Sequence, residues 1–312
     1  MRIGIVGAGM AGLACAEALS RRNYAVQLFD KGRGPGGRMS TRRISTSVGE
    51  AAFDHGAPVF TAADPAFRRR LEAWIAAGLA APWPEAGSAA YVGTPTMGAP
   101  IRQMASGQSV RFATRVLKIE AAKPGWHLVL DHGEAVEVDF AVVATPAEQA
   151  GALLDSIAPE FAAHAAAVQS TPCWTAMLAF AEKLPPPRDC LRGDAGAEIA
   201  LAARNNAKPG RSGPEAWVLQ AAPDWSRKHL EADPAWVADQ LAAAFARRID
   251  NELPPTIVRA AHRWRYANPD ANGPGQLLDT GSRLGVCGDW LLGPGVEAAW
   301  LSGTALAARI AG

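Results

Sequence analysis

Three glycines, Gly7, Gly9 and Gly12, are spaced G-x-G-x-x-G within "RIGIVGAGMAGLACAEALS", and an acid, Asp30, follows 18 residues after the last of them. These residue types at this spacing suit diphosphate and ribose binding. Gly7 permits a tight turn, Gly9 lets a pyrophosphate approach the backbone, and Gly12 lets a helix lie close on a strand. A helix that starts here offers free N–H groups and a positive partial charge to phosphates. A carboxylate ending the next strand accepts hydrogen bonds from ribose hydroxyls. A ligand-free tight turn would need the glycines alone. Strand, helix and acid together point to a dinucleotide, and NAD and FAD both fit at this stage.

The next stretch, "KGRGPGGRMSTRR", adds a second glycine pair, Gly36 and Gly37, followed by Arg38 and Met39. Glycines let a loop run beside a longer cofactor, and Arg38 could reach a pyrophosphate; the plainer alternative is an exposed loop arginine. "GPGVEA" at 293–298 repeats the pattern before a helix. No room for a further strand and acid remains before Gly312, so it is read as the closing helix of the first nucleotide-binding part, and no separate NADPH domain is expected. There is no G-x-S-x-G elbow, and the scattered histidines show no H-E-x-x-H or other metal spacing. The four cysteines, at 15, 173, 190 and 287, form no C-x-x-C, which suggests reduced structural thiols in a cytoplasmic protein.

The elements that must position these residues follow from periodicity. Residues 2–7, 11–22 and 25–30 read as strand, helix and strand, a β-α-β unit that requires a parallel sheet and a right-handed crossover. Residues 65–80 carry Phe67, Leu71, Trp74 and Ile75 on one helical face, with Arg68 to Arg70 read as a solvated face. Residues 109–140 alternate as a β-meander turning at 123–125, and "FAVVATP" at 140–146 reads as a further central strand stopped by Pro146. A helix is expected over 147–165. Strands at 172–181, 215–222 and 256–266 form a second sheet, with an amphipathic helix over 233–249. The sequence therefore predicts an α/β fold: a Rossmann-like cofactor domain (1–60, 97–150 and 267–312) and a discontinuous α+β substrate domain (61–96 and 151–266).

With 312 residues, 49% hydrophobic and 20% charged, the chain reads as globular. A net charge of +1 gives no field that would draw it to nucleic acid or membrane, and no apolar run approaches a membrane span. Glu17 and Arg21 interrupt the apolar N-terminus, which is read as structure and not as a signal peptide.

"GAGMAGLACAEAL", "FDKGRGPGGRMSTR" and "FDHGAPVF" resemble the N-terminal signatures of FAD-dependent amine-oxidase-like flavoproteins, and "GVCGDWLLGPGVEAAWLSGTALA" resembles their C-terminal flavin segment. Within that superfamily, "GGRMSTR" and "HRWRY" are most similar to bacterial renalase-like oxidoreductases; the resemblance covers both ends well and 147–255 poorly. It implies FAD, with Gly7, Gly9 and Gly12 at the pyrophosphate and Asp30 at the adenosine ribose. Arg38 would meet phosphate and ribitol, Val116 would meet adenine through its backbone, and Asp289 would lie near the ribitol or pyrophosphate. Lys31, Gly37 and Met39 count among the cofactor-binding residues. Gly295, Val296 and Glu297 would start the helix aimed at the flavin pyrimidine edge, where a helix N-terminus stabilises the negative charge of reduced flavin. No cysteine lies in "RWRYANPDANGPGQLLDTGSRLGV", so non-covalent FAD is expected, and Cys287 is read as core.

The resemblance also shapes the substrate side. Amine oxidases of this kind carry an aromatic residue in a "Y-M-E-G-A" type segment, where this chain has Gly295. That glycine opens the flavin face to a flat ring such as a dihydronicotinamide. The expected reaction is hydride transfer to flavin N5 from a misreduced (2- or 6-dihydro) NAD(P), with dioxygen as acceptor and hydrogen peroxide as product. The alternatives are an amine oxidase, a desaturase or a flavin-binding protein without catalysis. The catalytic candidates are His55, Trp174, Asn205 and Arg265, with Trp217, Trp264, Arg204 and Arg263 as further pocket candidates. Core packing, loop structure and surface exposure are the competing readings of each. The expected partners are a small-molecule or dinucleotide substrate and dioxygen; no metal is expected, and the protein would be a monomer or homodimer.

Overall fold

The strand Arg2–Val6 is buried at four of its five positions, so both its faces need cover and it takes a central place. The computed structural model describes residues 1–185, 188–270 and 273–312. In it Arg2–Val6 pairs in parallel with Ala25–Phe29 on one side and Phe140–Val143 on the other. The six-stranded sheet continues outward to Ser109–Arg111 at one edge, and to Leu284–Val286 and then Leu277–Asp279 at the other. All its pairings are parallel except that of the last two strands. Ser109–Arg111 thus belongs to this sheet and not to the meander, whose strands are Val116–Ala122, Gly125–Leu130 and Ala135–Val138.

The helix Met10–Ser20 fills one face of this sheet and packs against the closing helix Val296–Ile310. That second contact depends on Gly303, where a Cβ would sit 2.1 Å from the Ala11 carbonyl oxygen. The helix expected over 147–165 is two, Ala147–Leu154 and Pro159–Ala166, because Pro159 suits a helix start and not an interior. The helix Pro65–Ala76 is capped by Asp64, whose carboxylate accepts from the N–H groups of Ala66 and Phe67. Arg68 and Arg69 are exposed as expected, but Arg70 is not solvated. It pairs with Glu17 on the first helix and lies 5.1 Å over the Trp74 ring.

The second sheet is antiparallel, in the order Cys190–Arg192, Ile199–Arg204, Glu215–Ala221, Ser170–Phe180, Thr256–Pro269. One face presents Trp174, Leu178, Phe180 and Trp217 to Val237, Leu241 and Phe245 of the helix Pro234–Ile249. Burying each such side chain contributes about 1.5–3 kcal/mol. The opposite face packs Met177, Ala179 and Val218 on Ala51 and Phe53. These last two come from the hairpin Arg42–Thr46/Gly49–Phe53, which sequence periodicity does not reveal. Among the described residues no helix is long and apolar enough to cross a membrane.

Candidate functional site

The first glycine turn has the geometry its spacing suggests. Gly7 has φ +106°, and a Cβ on it would meet the Ala144 carbonyl oxygen at 2.7 Å. A Cβ on Gly12 would sit 2.0 Å from the Gly7 oxygen, so only glycine allows this helix to lie on this turn. Gly9 differs from both: its Cβ would point into open space. Gly9 is also the N-cap of the helix and no side chain caps it, which leaves the first N–H groups free. Asp30 braces the turn from the next strand. One carboxylate oxygen accepts from the Ala8 N–H at 2.7 Å, the other from the Gly32 N–H at 2.7 Å. Each oxygen keeps a lone pair for a further donor.

These residues line one end of a cavity of about 1480 Å³. Drug-sized ligands occupy pockets of about 300–1,000 Å³, so this one has room for a large cofactor together with a second molecule. Gly37, Arg38 and Met39 lie on its wall, as do Lys31, Val116 and Asp289. Lys31 reaches across to the Gln149 side-chain oxygen at 3.0 Å. Gly36 and Gly37 both have positive φ, +150° and +50°, as the second glycine pair requires. Arg38 donates to the buried Asp289 carboxylate at 2.7 Å and to the Ala267 carbonyl at 2.9 Å. Two residues 251 positions apart are thereby joined in one wall.

The second uncapped helix start, at Gly295 and Val296, faces the same cavity. Gly295 has φ +134°, and a Cβ there would meet nothing within 4 Å, so this glycine holds the cavity open. Glu297 borders the cavity as well. Its carboxylate accepts the N–H groups of Ala63 at 2.7 Å and Asp64 at 2.6 Å, which pins the start of the helix Pro65–Ala76. The glycine cradles, two free helix N-termini and Asp30 form a donor set that fits a dinucleotide diphosphate and its ribose.

The floor is the segment 55–60, held by two side chains from the second sheet and by Lys208, just beyond one of its strands. Trp264 Nε1 donates to the His55 carbonyl at 2.7 Å, Gln220 Nε2 to that of Gly56 at 2.7 Å, and Lys208 Nζ to that of Pro58 at 2.8 Å. Below it lies a buried charge cluster that sequence reasoning missed. The Asp54 carboxylate accepts from Lys208 at 2.9 Å, Arg211 at 2.6 Å, the Thr41 hydroxyl at 2.6 Å and the Met97 N–H at 3.0 Å. Burial pushes the Asp54 carboxyl up, but Lys208, Arg211 and Thr41 outweigh it and hold it below the usual carboxylate range. Burial pulls the Lys208 ammonium down, and Asp54 offsets part of that.

Of the four catalytic candidates, only Arg265 lines the cavity. His55 turns away from it: 7% exposed, it packs on His262 and Trp264 with ring centroids at 5.1 and 5.2 Å. Burial, then His262, lowers its pKa to about 4. Trp174 belongs to the opposite face of the sheet, where its indole N–H donates to the His229 carbonyl at 2.8 Å. Asn205 is a strut that donates to the Ala52 carbonyl at 2.8 Å and accepts from the Asp54 N–H at 3.2 Å. Arg204 and Trp217 are buried together around Glu215. Trp264 lines the cavity; Arg263 and Arg265 border it, but the Arg263 guanidinium lies 5.8 Å over the Trp174 ring, on the far face of the sheet, and both arginines pair with Glu231. Alternation along each strand decides these outcomes, since one residue of displacement turns a side chain to the other face.

The charged second-sheet residues that border the cavity are arginines, two of them matched by Glu231. The second-sheet residues on the cavity wall include Arg192, Arg263 and Arg265 and, among the described residues, no carboxylate. Cys173 is also there, its thiol pushed up to about 11 chiefly by burial. All four cysteines are unpaired and buried. Among the described residues no cluster of His, Cys, Asp or Glu is arranged to hold a metal ion.

Two family models match the sequence: "NAD(P)-binding Rossmann-like domain" over residues 5–74 and "Flavin containing amine oxidoreductase" over residues 84–311. The second spans well over half of the chain, which therefore belongs to the flavin-containing amine oxidoreductase family. It is an FAD-dependent oxidoreductase, and the diphosphate cradle described above fits that cofactor. Solved structures of the same fold include a proposed protoporphyrinogen oxidase from Exiguobacterium sp. 255-15 (TM-score 0.74, 14% identity, 99% of this chain and 98% of that one). Cyclohexylamine oxidase from Brevibacterium oxydans IH-35A is similar too (TM-score 0.69, 12% identity, 99% and 98%). So is an oxidoreductase from Methanosarcina mazei (TM-score 0.61, 14% identity, 98% and 99%).

Proposed function

We propose that this protein is a renalase-like oxidase: it accepts a hydride from a misreduced (2- or 6-dihydro) NAD(P), with dioxygen as the terminal acceptor and hydrogen peroxide as the product. The observation that carries this reading is the room left in the cavity for a second flat ligand beside the cofactor cradle. Arg192 on the second-sheet wall adds a cation that suits an anionic dinucleotide. Gly295 adds room for a flat ring where a side chain would fill the space.

In this reading Gly7, Gly9, Gly12 and the helix start at Met10 hold the FAD diphosphate without a covalent link. Asp30 takes the ribose hydroxyls, and Lys31, Gly37, Arg38 and Met39 flank the cofactor. Val116 lies at the adenine, and Asp289 fixes Arg38. Bound FAD supplies the two-electron acceptor. The chain's own residues orient the donor and exclude water. Trp264 offers a flat surface, and Arg192 offers a phosphate partner. No acid or base on the protein is required for a hydride to leave a dihydropyridine.

The test is an anaerobic stopped-flow titration of the FAD-loaded protein with NADH, the 2- and 6-dihydro isomers and a panel of amines, followed at the flavin band. Fast bleaching by the isomers alone, followed by peroxide formation on admitting air, is the expected result. Bleaching by an amine and not by the isomers would refute the proposal and return the protein to the amine oxidation its family match favours. No bleaching by any donor would also refute it.

A further inference from the structure

Gln220 is a polar residue near the end of the strand "EAWVLQA", after the apolar run 216–219, and it lies on the cavity wall. Its neighbours in register across the sheet are Thr175 on one side and Leu201 on the other, and Thr175 is in turn paired with His262. The orientation of its amide is settled by chemistry. The Gly56 carbonyl can only accept, so the atom 2.7 Å from it is Nε2. The Oε1 atom is then the other end of the amide, and it accepts no hydrogen bond from any described residue. It is also absent from the buried polar atoms that lack a partner, so it is open to the cavity.

We propose that Gln220 is a substrate-recognition residue whose Oε1 accepts a hydrogen bond from the carboxamide NH2 of a planar ring, an assignment that rests on the dihydronicotinamide reading above. Three features of the site support a neutral amide donor in particular. The acceptor is uncharged, so an ammonium would gain no ion pair from it. The neighbours of Gln220 in register across the sheet, Thr175 and beyond it His262, include no carboxylate. The Trp264 indole, held by its bond to the His55 carbonyl, offers a flat surface on the same wall. A fixed acceptor that a bound ring covers from water discriminates strongly, because an analogue without the N–H leaves it unpaired.

The experiment uses the FAD-loaded protein and two probes that cannot be oxidised as hydride donors, benzamide and methyl benzoate, titrated by their perturbation of the flavin spectrum. The wild type is expected to prefer benzamide by at least tenfold. Two variants separate recognition from support of the floor. Gln220→Leu and Gln220→Glu both lose the donor to Gly56, but only Gln220→Leu loses the acceptor. Benzamide preference lost in Gln220→Leu and kept in Gln220→Glu supports the assignment. Equal loss in both variants, equal preference in all three proteins, or no spectral response to benzamide in the wild type overturns it. Failure of the parent reading shows elsewhere: benzamide selectivity with no flavin reduction by any dihydronicotinamide refutes the hydride donor and leaves Gln220 as an amide acceptor.

Discussion

Replacing Asp54 with asparagine isolates the charge of the buried cluster, because asparagine keeps the shape and one acceptor oxygen for Thr41 and Met97. Lys208 and Arg211 would be left without their counter-charge at side-chain exposures of 0% and 2%. Breaking a buried ion pair in this way costs about 3–5 kcal/mol. With two cations stranded, the value belongs in the middle of that range or above, about 4 kcal/mol, a loss of roughly a thousandfold in the folding equilibrium. Urea denaturation of the FAD-loaded protein at pH 7 measures it. The carboxylate is fully ionised at that pH, since a depressed carboxyl contributes its stability above the unfolded pKa and loses it only as pH falls toward the folded one. The decisive comparison is a double-mutant cycle with Lys208→Met. Removing one stranded cation should recover about 2 kcal/mol relative to the sum of the single losses. Losses that add to within about 0.5 kcal/mol would refute the coupling and, with it, the claim that this cluster is one charge-balanced unit.

His55 should make stability depend on pH in a separate window. Its folded pKa near 4 lies below the ordinary 6.5, so the unfolded chain binds the extra proton first. Stability is complete above about pH 6.5 and falls by about 3 kcal/mol as pH drops to 4; urea midpoints of wild type and His55→Gln at pH 7.5 and 5 should converge at the lower pH. The glycines of the first turn should separate folding from cofactor binding. Gly9→Ala adds a methyl group to open space at φ −78° and is expected to leave apo-protein stability within about 0.5 kcal/mol while weakening FAD at least tenfold. Gly12→Ala drives a methyl group into the Gly7 carbonyl and should weaken both, by thermal unfolding and by flavin fluorescence.

Much of the cofactor side was legible because its chemistry is local. Gly7, Gly9, Gly12 and Asp30 act within one β-α-β unit, and the backbone geometry their spacing demands is what the fold contains. The substrate side was not legible, because each residue there is defined by partners far along the chain. Trp174 and Trp264 look alike in sequence, yet one faces the helix Pro234–Ile249 and the other the cavity. Asn205 reads as a polar loop residue until its partners at Ala52 and Asp54 are known. Two signals were available. Asp54 sits inside "FDHG" between apolar and glycine positions, and Gln220 interrupts a buried strand; a polar side chain in such a place must have a partner or a task. The hairpin at 42–53 was hidden by its own charges, since Arg42 and Arg43 are exposed and its packing rests on Ala51, Phe53 and the half-buried Ile44.

The three carbonyls that shape the cavity floor are bonded to side chains 209, 164 and 150 positions away. Long loops must close before any of these bonds can form, and such contacts are made late in folding. During synthesis the glycine turn and Asp30 emerge first, but the wall opposite them waits for Trp264 and Gly295. Cofactor loading is therefore expected only once residues as far along the chain as Trp264 and Gly295 have joined the wall. FAD would act as the final clasp on an assembled molecule, stabilising it by mass action, and not as a template around which the first domain folds.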